Sequence, residues 1–307
     1  MSVGTQFTRR CLLKGGTATG FMLLSSSSVW AAATPDLMPT VPIAGQVPVT
    51  EGLATLPDTR LWYWDTGGDG QPVVLVHPAS ASSEAWIYQR SGLAAAGHRV
   101  IAYSRRGYFK SDPVLDMNPG QEATDLLNLL DFLGVQRCHL VGSAAGCQVS
   151  LDFALSFPSR LYSLTFASGT GGIRDEDYRE AMARLRQPGL DDLPSEFREL
   201  SQAFREANPQ GTARWKALTE AAVTGNRLGQ TNLNQIDWAA LEQMSVPTLL
   251  TTGEADLVMP PALFDMIADH LPNAEVTILP QAGHTVFWEQ PESFNQMVLE
   301  FISRHRS

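Results

Sequence analysis

The stretch HLVGSAAGCQVSLDFA, residues 139–154, decides the fold of this chain. An apolar run stops at the small-residue sequence GSAAG, and a helix-like segment follows at once. A strand that turns sharply into a helix leaves its apex residue strained and accessible, and small neighbours let strand and helix approach closely. The stretch therefore predicts a strand, a tight turn with Ala144 at its apex, and a helix.

Outward from this unit, short apolar runs alternate with helical patterns. The clearest helical pattern spans residues 121–134, where leucines recur at helical spacing before Gly134. Two earlier strands are expected within residues 47–65. The apolar runs typical of buried parallel strands are 72–77, 98–104, 137–142, 161–167, 247–253 and 274–280. This order predicts an α/β fold with a mostly parallel, doubly wound sheet of about eight strands.

One segment, residues 172–240, interrupts the alternation. It carries charged helical patterns broken by proline and glycine and contains no strand pattern. We interpret it as a helical cap inserted after the sixth strand, over the carboxyl edge of the sheet where ligands bind in such folds. The α/β core would then comprise residues 34–171 and 241–307. A packing appendage without a binding role is the alternative.

The composition limits the function classes. The chain has 307 residues, of which 44% are hydrophobic and 18% charged, enough for one large core. Its net charge of −10 repels phosphate backbones, so we expect no nucleic-acid partner. After the first residues, no run is long and apolar enough to predict a membrane span.

The first 33 residues differ from the rest. Arg9 and Arg10 precede a moderately apolar stretch and the small-residue sequence AAAT. This order resembles a twin-arginine export signal cleaved after Ala33, which implies a periplasmic or secreted protein; an amphipathic N-terminal helix is the alternative. Two cysteines, Cys138 and Cys147, would remain after cleavage; we favour unpaired thiols, with a disulfide as the alternative.

Two polar residues follow the last two predicted strands. Asp256 comes just after the run 247–253, and His284 follows the run 274–280. An apex residue, an acid and a histidine in this order, at the ends of parallel strands, resemble the α/β-hydrolase superfamily, and the resemblance extends from about residue 47 to the end of the chain. It implies a capped serine esterase or lactonase in which Asp256 and His284 belong to a charge relay. A helix N-cap is the alternative role for Asp256, and an ordinary hydrogen-bonded histidine the alternative for His284.

The resemblance also implies an oxyanion hole formed by the backbone N–H groups of Ala79 and Ala145. His77 and the loop 103–112 are interpreted as structural, although relatives usually carry aspartate where this chain has Ser104. No metal or organic cofactor is implied, and the substrate is a small ester or lactone. The candidate substrate contacts are the aromatic residues Trp86, Tyr108, Phe109 and Phe287.

The apex departs from the family pattern. G-x-S-x-G is matched at every position except the middle one, where Ala144 stands in place of serine. A methyl group cannot attack a carbonyl, and neither Ser143 nor Cys147 is placed to replace it. We interpret Ala144 as an engineered replacement of the nucleophilic serine, which leaves an inactive hydrolase. The alternatives are a naturally non-hydrolytic small-molecule binder and a serine-dependent amide or carbon–carbon bond hydrolase.

Overall fold

A computed structural model describes residues 42–43, 45–224 and 229–306 of the chain. The predicted export signal, its twin arginine and its cleavage site lie outside the described residues. Cys138 and Cys147 are both free and buried. No helix in the described ranges is long and apolar enough to cross a membrane.

One eight-stranded sheet organises the described residues. Its strands are β1 (Thr50–Thr55), β2 (Arg60–Asp65), β3 (Pro72–Val76), β4 (Arg99–Tyr103), β5 (Cys138–Ser143), β6 (Leu161–Ala167), β7 (Thr248–Gly253) and β8 (Ala274–Leu279). Their spatial order is β1-β2-β4-β3-β5-β6-β7-β8. Strand β2 pairs antiparallel with both β1 and β4, and the other pairs are parallel. The predicted mostly parallel sheet of about eight strands is confirmed.

Helices connect the parallel strands. Those of the described residues are α1 (Ile87–Ala95), α2 (Glu122–Phe132), α3 (Ala145–Ser156), α4 (Glu176–Leu185), α5 (Ser195–Glu199), α6 (Gln202–Ala207), α7 (Pro209–Ala222), α8 (Trp238–Leu241), α9 (Ala262–Asp269), α10 (Val286–Glu289) and α11 (Pro291–Ser303). Short 3-10 turns occur at Ser83–Trp86, Pro158–Arg160 and Leu190–Asp192. The helix predicted over 121–134 is α2, and Gly134 follows it with a φ of +67°.

The sheet carries a hydrophobic core on each face. Along β3, Val74 and Val76 belong to one buried cluster, and Val73 and Leu75 belong to the other. This alternation follows from the two-residue period of a strand, and a strand buried on both faces reads as a continuous apolar run. The run 72–77 was recognisable as a central strand for this reason.

The five helices α4 to α8 all lie between β6 and β7, which are direct neighbours in the sheet. The segment 172–240 is therefore an insertion between two adjacent parallel strands. Its limits as a separate cap domain remain a prediction.

Candidate active site

The turn between β5 and α3 holds Ala144 in a strained conformation. Its φ and ψ are +50° and −113°, and α3 begins at the next residue. The N–H of Ala144 donates to the carbonyl of Ala167 at 2.9 Å, which fixes the turn to the end of β6. A non-glycine residue persists at such angles only where its surroundings over-determine it. The sharp turn predicted from GSAAG is thus present, although its apex carries no reactive group.

Two glycines make this turn sterically feasible. A Cβ on Gly146 would lie 2.3 Å from the carbonyl oxygen of Val76, and one on Gly142 would lie 2.7 Å from the carbonyl oxygen of Gly146. The first clash could be relieved only by displacing strand β3, and the second only by displacing helix α3. Helix α3 therefore packs against β3 and β5 at a separation that only glycine permits.

Asp256 lies just beyond β7, and its side chain is fully buried. Its Oδ1 accepts from the N–H groups of Val258 and Met259, both at 2.8 Å, and its Oδ2 accepts from the hydroxyl of Thr252 at 2.7 Å. The N-cap position of α9 is occupied by Pro261. Asp256 therefore orders its own turn rather than capping α9, and its hydrogen bonds fix the direction of the carboxylate.

The His284 ring lies against this carboxylate. Its Nδ1 is 2.9 Å from Oδ2 of Asp256, and its backbone N–H donates to the carbonyl of Glu199 at 2.9 Å. Because an ionised carboxylate can only accept, Nδ1 carries the proton and Nε2 of the neutral ring is left as a base. Burial lowers the pKa of His284, but the charge and hydrogen bond of Asp256 outweigh it, so that its pKa is raised.

A second carboxylate holds the histidine loop against the inserted helices. Glu289 accepts from the N–H of Gly283 at 3.0 Å through Oε1 and from the N–H of Ser201 at 3.1 Å through Oε2. Burial raises the pKa of Glu289 to about 7. The backbone carbonyl of Glu199 also accepts from Thr285. Sequence reasoning missed Glu199 and Ser201, because nothing in the spacing of residues 199–201 indicates contact with a loop more than 80 residues away.

A cavity of about 420 Å³ opens at the carboxyl edge of the sheet. Four of the predicted site residues line it, namely Ala79, Ala144, Ala145 and His284. Asp256 lies behind His284 and does not line the cavity. The structure therefore brings together all five backbone or side-chain groups that the sequence assigned to one centre.

The N–H groups of Ala79 and Ala145 are available to a ligand. Neither donates to an acceptor among the described residues, although both residues line the cavity. The hydroxyl of Tyr108 donates to the carbonyl of Ala79 at 3.1 Å, which orients the peptide unit beyond it. Two converging N–H groups are the arrangement that stabilises a developing oxyanion.

The predicted aromatic contacts lie elsewhere. Trp86 and Phe287 are fully buried and pack together with ring centroids 4.2 Å apart, while Phe109 packs against Trp62. Tyr108 reaches Ala79 but does not itself line the cavity. The structure thus does not bring these four side chains to the cavity. Trp86 and Phe287 instead fill the core, as large apolar rings often do.

The loop 103–112 is held by buried charge pairs. Arg105 pairs with Glu122 and Arg106 with Asp125, both at 2.7 Å. At the position where relatives carry aspartate, Ser104 is buried and hydrogen-bonds to another serine. These contacts agree with a structural role for the loop.

His77 is satisfied on both sides of its ring. Its Nδ1 donates to the carbonyl of Pro78 at 2.7 Å, and its Nε2 accepts from the N–H of Arg105 at 3.0 Å. Burial and the charge of Arg105 lower its pKa well below the usual value, which keeps the ring neutral. The ring therefore links two loops at the edge of the sheet.

Neither neighbour of the apex offers a nucleophile. The hydroxyl of Ser143 is buried outside the cavity lining. The thiol of Cys147 donates to the carbonyls of Gly142 and Ala167, and burial raises its pKa well above the usual value. The Cys147 thiol therefore stays protonated, and the Ser143 hydroxyl does not reach the cavity. Among the described residues, no three His, Cys, Asp or Glu side chains gather as metal ligands do.

Comparison with known proteins gives a consistent result. Residues 73–297 match the model of the alpha/beta hydrolase family. A 2-hydroxy-6-oxononadienedioate/2-hydroxy-6-oxononatrienedioate hydrolase of Paraburkholderia phymatum is 30% identical over 80% of this chain and 92% of its own length. A putative carbamate hydrolase of Variovorax paradoxus is 31% identical over 77% and 93%.

Solved structures show the same fold. A thermophilic esterase from Thermogutta terrifontis superimposes with a TM-score of 0.69 at 24% identity, covering 84% of this chain and all of its own. An enol-lactonase from Burkholderia xenovorans gives a TM-score of 0.65 at 20% identity, over 82% of this chain and all of its own.

Proposed function

Because this chain belongs to the alpha/beta hydrolase family, we propose that it hydrolyses a small carbonyl compound by direct attack of water, with His284 as general base. The observation that supports this proposal is that the other groups of a hydrolase site are in place around Ala144, which itself carries no nucleophile. The strained turn, the buried Asp256–His284 pair and two available N–H groups surround one cavity, while Ala144 excludes a covalent intermediate.

The proposed reaction uses only these groups. Nε2 of His284 takes a proton from water as the water oxygen adds to the carbonyl carbon. The N–H groups of Ala79 and Ala145 stabilise the resulting oxyanion, and Asp256 stabilises the imidazolium. Collapse of the tetrahedral intermediate breaks the bond to the leaving group, which receives the proton from His284.

The relatives favour a carbon–carbon bond as the bond that breaks. An oxononadienedioate contains no ester or amide linkage, so the hydrolase named for it must cleave its carbon skeleton. Cleavage next to a ketone needs a leaving carbanion that is stabilised as an enolate. We therefore propose 1,3-diketones and their vinylogues as the preferred reactants, in place of the esters and lactones that the sequence resemblance favoured.

Position 144 supports a second candidate, a protein that binds such compounds without converting them. If Ala144 instead replaces a natural serine, the chain is a serine hydrolase that lacks its nucleophile. A serine codon at position 144 of the unmodified gene would support this engineered replacement. These possibilities separate experimentally.

The test compares the Ala144 protein with Ala144→Ser and His284→Ala on two sets of compounds. Loss of enol absorbance follows the cleavage of the neutral diketones pentane-2,4-dione and heptane-3,5-dione, and p-nitrophenol release follows short esters. We expect the Ala144 protein to cleave a diketone, His284→Ala to lose about a thousandfold in rate, and Ala144→Ser to gain ester hydrolysis. Binding without turnover by the Ala144 protein would support the binder. A serine variant inactive on the short esters would contradict the assigned roles of His284 and the two N–H groups.

A further inference from the structure

The lining of the active-site cavity combines apolar and polar residues. Among the described residues, its apolar members are Pro78, Ala79, Ala144, Ala145 and Val258, and none of them is aromatic. Small-molecule pockets are normally lined mainly by hydrophobic and aromatic groups. Here eleven of the sixteen described lining residues are polar, so the polar groups of a ligand would find partners in this cavity.

Hydroxyl groups face the same space. The hydroxyls of Ser80 and Thr170 make no hydrogen bond to any described residue, although both residues line the cavity. Ser195 and Thr219 contribute a hydroxyl pair whose oxygens are 2.8 Å apart. Each hydroxyl both donates and accepts, which matches the hydroxyl groups of a ligand.

The charges of the lining disfavour an anion. Among the described residues of the lining, Arg198 is the only lysine or arginine, and its guanidinium already donates to Glu199 at 2.7 Å. Asp191 is paired with Arg186, whereas Glu220 has no partner among the described residues. A dianion entering this cavity would meet uncompensated carboxylate charge and, among the described residues, no free lysine or arginine.

We propose that the cavity selects a neutral, polyhydroxylated carbonyl compound of sugar-like character. This inference rests on the proposed function for the reaction, but the selectivity belongs to binding and can be measured without turnover. It separates this chain from the relatives whose names specify dicarboxylates. Ser80 and Thr170 contact the hydroxyls of the compound, and Glu220 excludes anions.

The test is isothermal titration of the Ala144 protein with three acetyl esters. Methyl 6-O-acetyl-β-D-glucopyranoside is neutral and polyhydroxylated, cyclohexylmethyl acetate is its apolar counterpart, and O-acetylmalate is a dianion. We expect the glucoside to bind at least about tenfold more tightly than either of the others. Equal or tighter binding of the cyclohexyl ester or of acetylmalate overturns the proposal. So does the absence of glucoside binding at 10 mM, since titration resolves dissociation constants up to about that concentration.

Two variants locate the selectivity. Thr170→Val removes one hydroxyl at nearly constant volume, and we expect about fivefold weaker glucoside binding with no change for the cyclohexyl ester. Glu220→Gln should strengthen acetylmalate binding several-fold, while Glu180→Gln, an exposed carboxylate of α4 outside the cavity, should not. Equal effects of the two glutamate substitutions would show that overall charge, not the cavity, excludes the dianion.

Glucoside selectivity without turnover of any carbonyl compound would reject the proposed function and leave this inference standing.

Discussion

Oδ2 of Asp256 lies 2.9 Å from Nδ1 of His284, although 28 residues separate the two in the chain. The strands that precede them, β7 and β8, are parallel neighbours, so their carboxyl ends deliver both side chains to one place. The carboxylate is held by two backbone N–H groups and the hydroxyl of Thr252. The pair is therefore rigid before any ligand arrives.

Replacing the carboxylate should change both the rate and its pH dependence. Asp256 raises the pKa of His284, and a general base acts only when neutral, so kcat/KM of an active protein should rise with pH through a pKa above about 6.5. In Asp256→Asn the rise of kcat/KM should occur at lower pH. The maximum kcat/KM should fall by about a thousandfold or more, because the imidazolium loses its carboxylate partner. A pH–rate profile of both proteins measures this. If kcat/KM of the variant rises over the same pH range as that of the parent, another group controls the rate.

The same pair contributes to stability in a defined pH window. A histidine with a raised pKa stabilises the fold fully below its unfolded pKa of about 6.5, and this contribution is lost as pH rises through the folded value. We therefore expect Asp256→Asn to lose more stability relative to the parent at pH 5.5 than at pH 9. Denaturant unfolding at both pH values provides the measurement, and a loss larger at pH 9 would contradict the raised pKa.

Deprotonation of the buried Glu289 side chain should lower the free energy of unfolding as the pH rises. Its folded pKa of about 7 exceeds the ordinary value of 4.5, so the native state holds a proton that the unfolded chain releases. Between those values the free energy of unfolding should fall by roughly 3 kcal/mol with increasing pH. Glu289→Gln should remove this dependence.

The matched control is Glu292→Gln, since Glu292 is an exposed carboxylate one turn further along. Urea unfolding of the parent and both variants at pH 5 and pH 8 is the measurement. The same pH dependence in the parent and in Glu289→Gln would contradict the assignment.

Tyr108 should position the oxyanion-binding loop. Its hydroxyl donates to the carbonyl of Ala79, and Tyr108→Phe removes only this bond. We expect a loss of about 1 kcal/mol in stability and about a tenfold fall in kcat with little change in KM. Tyr162→Phe, at the opposite end of the sheet, is the control. A change confined to KM would instead indicate that Tyr108 contacts the substrate.

Replacing Gly146 with alanine should destabilise the protein, although alanine in place of glycine normally stabilises a helix. Alanine normally stabilises a helix by up to about 1 kcal/mol relative to glycine. At position 146 the added Cβ would lie 2.3 Å from the Val76 carbonyl, so Gly146→Ala should destabilise by about 3 kcal/mol or prevent folding. Gly52→Ala, where nothing lies within 4 Å, is the control for thermal unfolding. A stabilised Gly146→Ala protein would contradict the close approach of α3 to β3.

The order of elements was predictable from the sequence because each buried parallel strand is a continuous apolar run with a turn behind it. Asp256 and His284 were recognisable because each follows such a run directly. The same reasoning misplaced the aromatic residues: a tryptophan or phenylalanine near the site in sequence fills the core as readily as it lines a cavity. Only the contacts of Trp86 with Phe287 decide between the two.

By itself, the sequence determined the α/β class, the strand order along the chain and the inert apex at Ala144. These depend on local patterns and on residue chemistry. The tertiary structure decided what surrounds that apex. Arg198, Glu199 and Glu220 come from the inserted helices α5 and α7, and their meeting with His284 depends on packing across long sequence separations. Local patterns determine which elements form, whereas long-range packing determines the charge and polarity of the cavity between them.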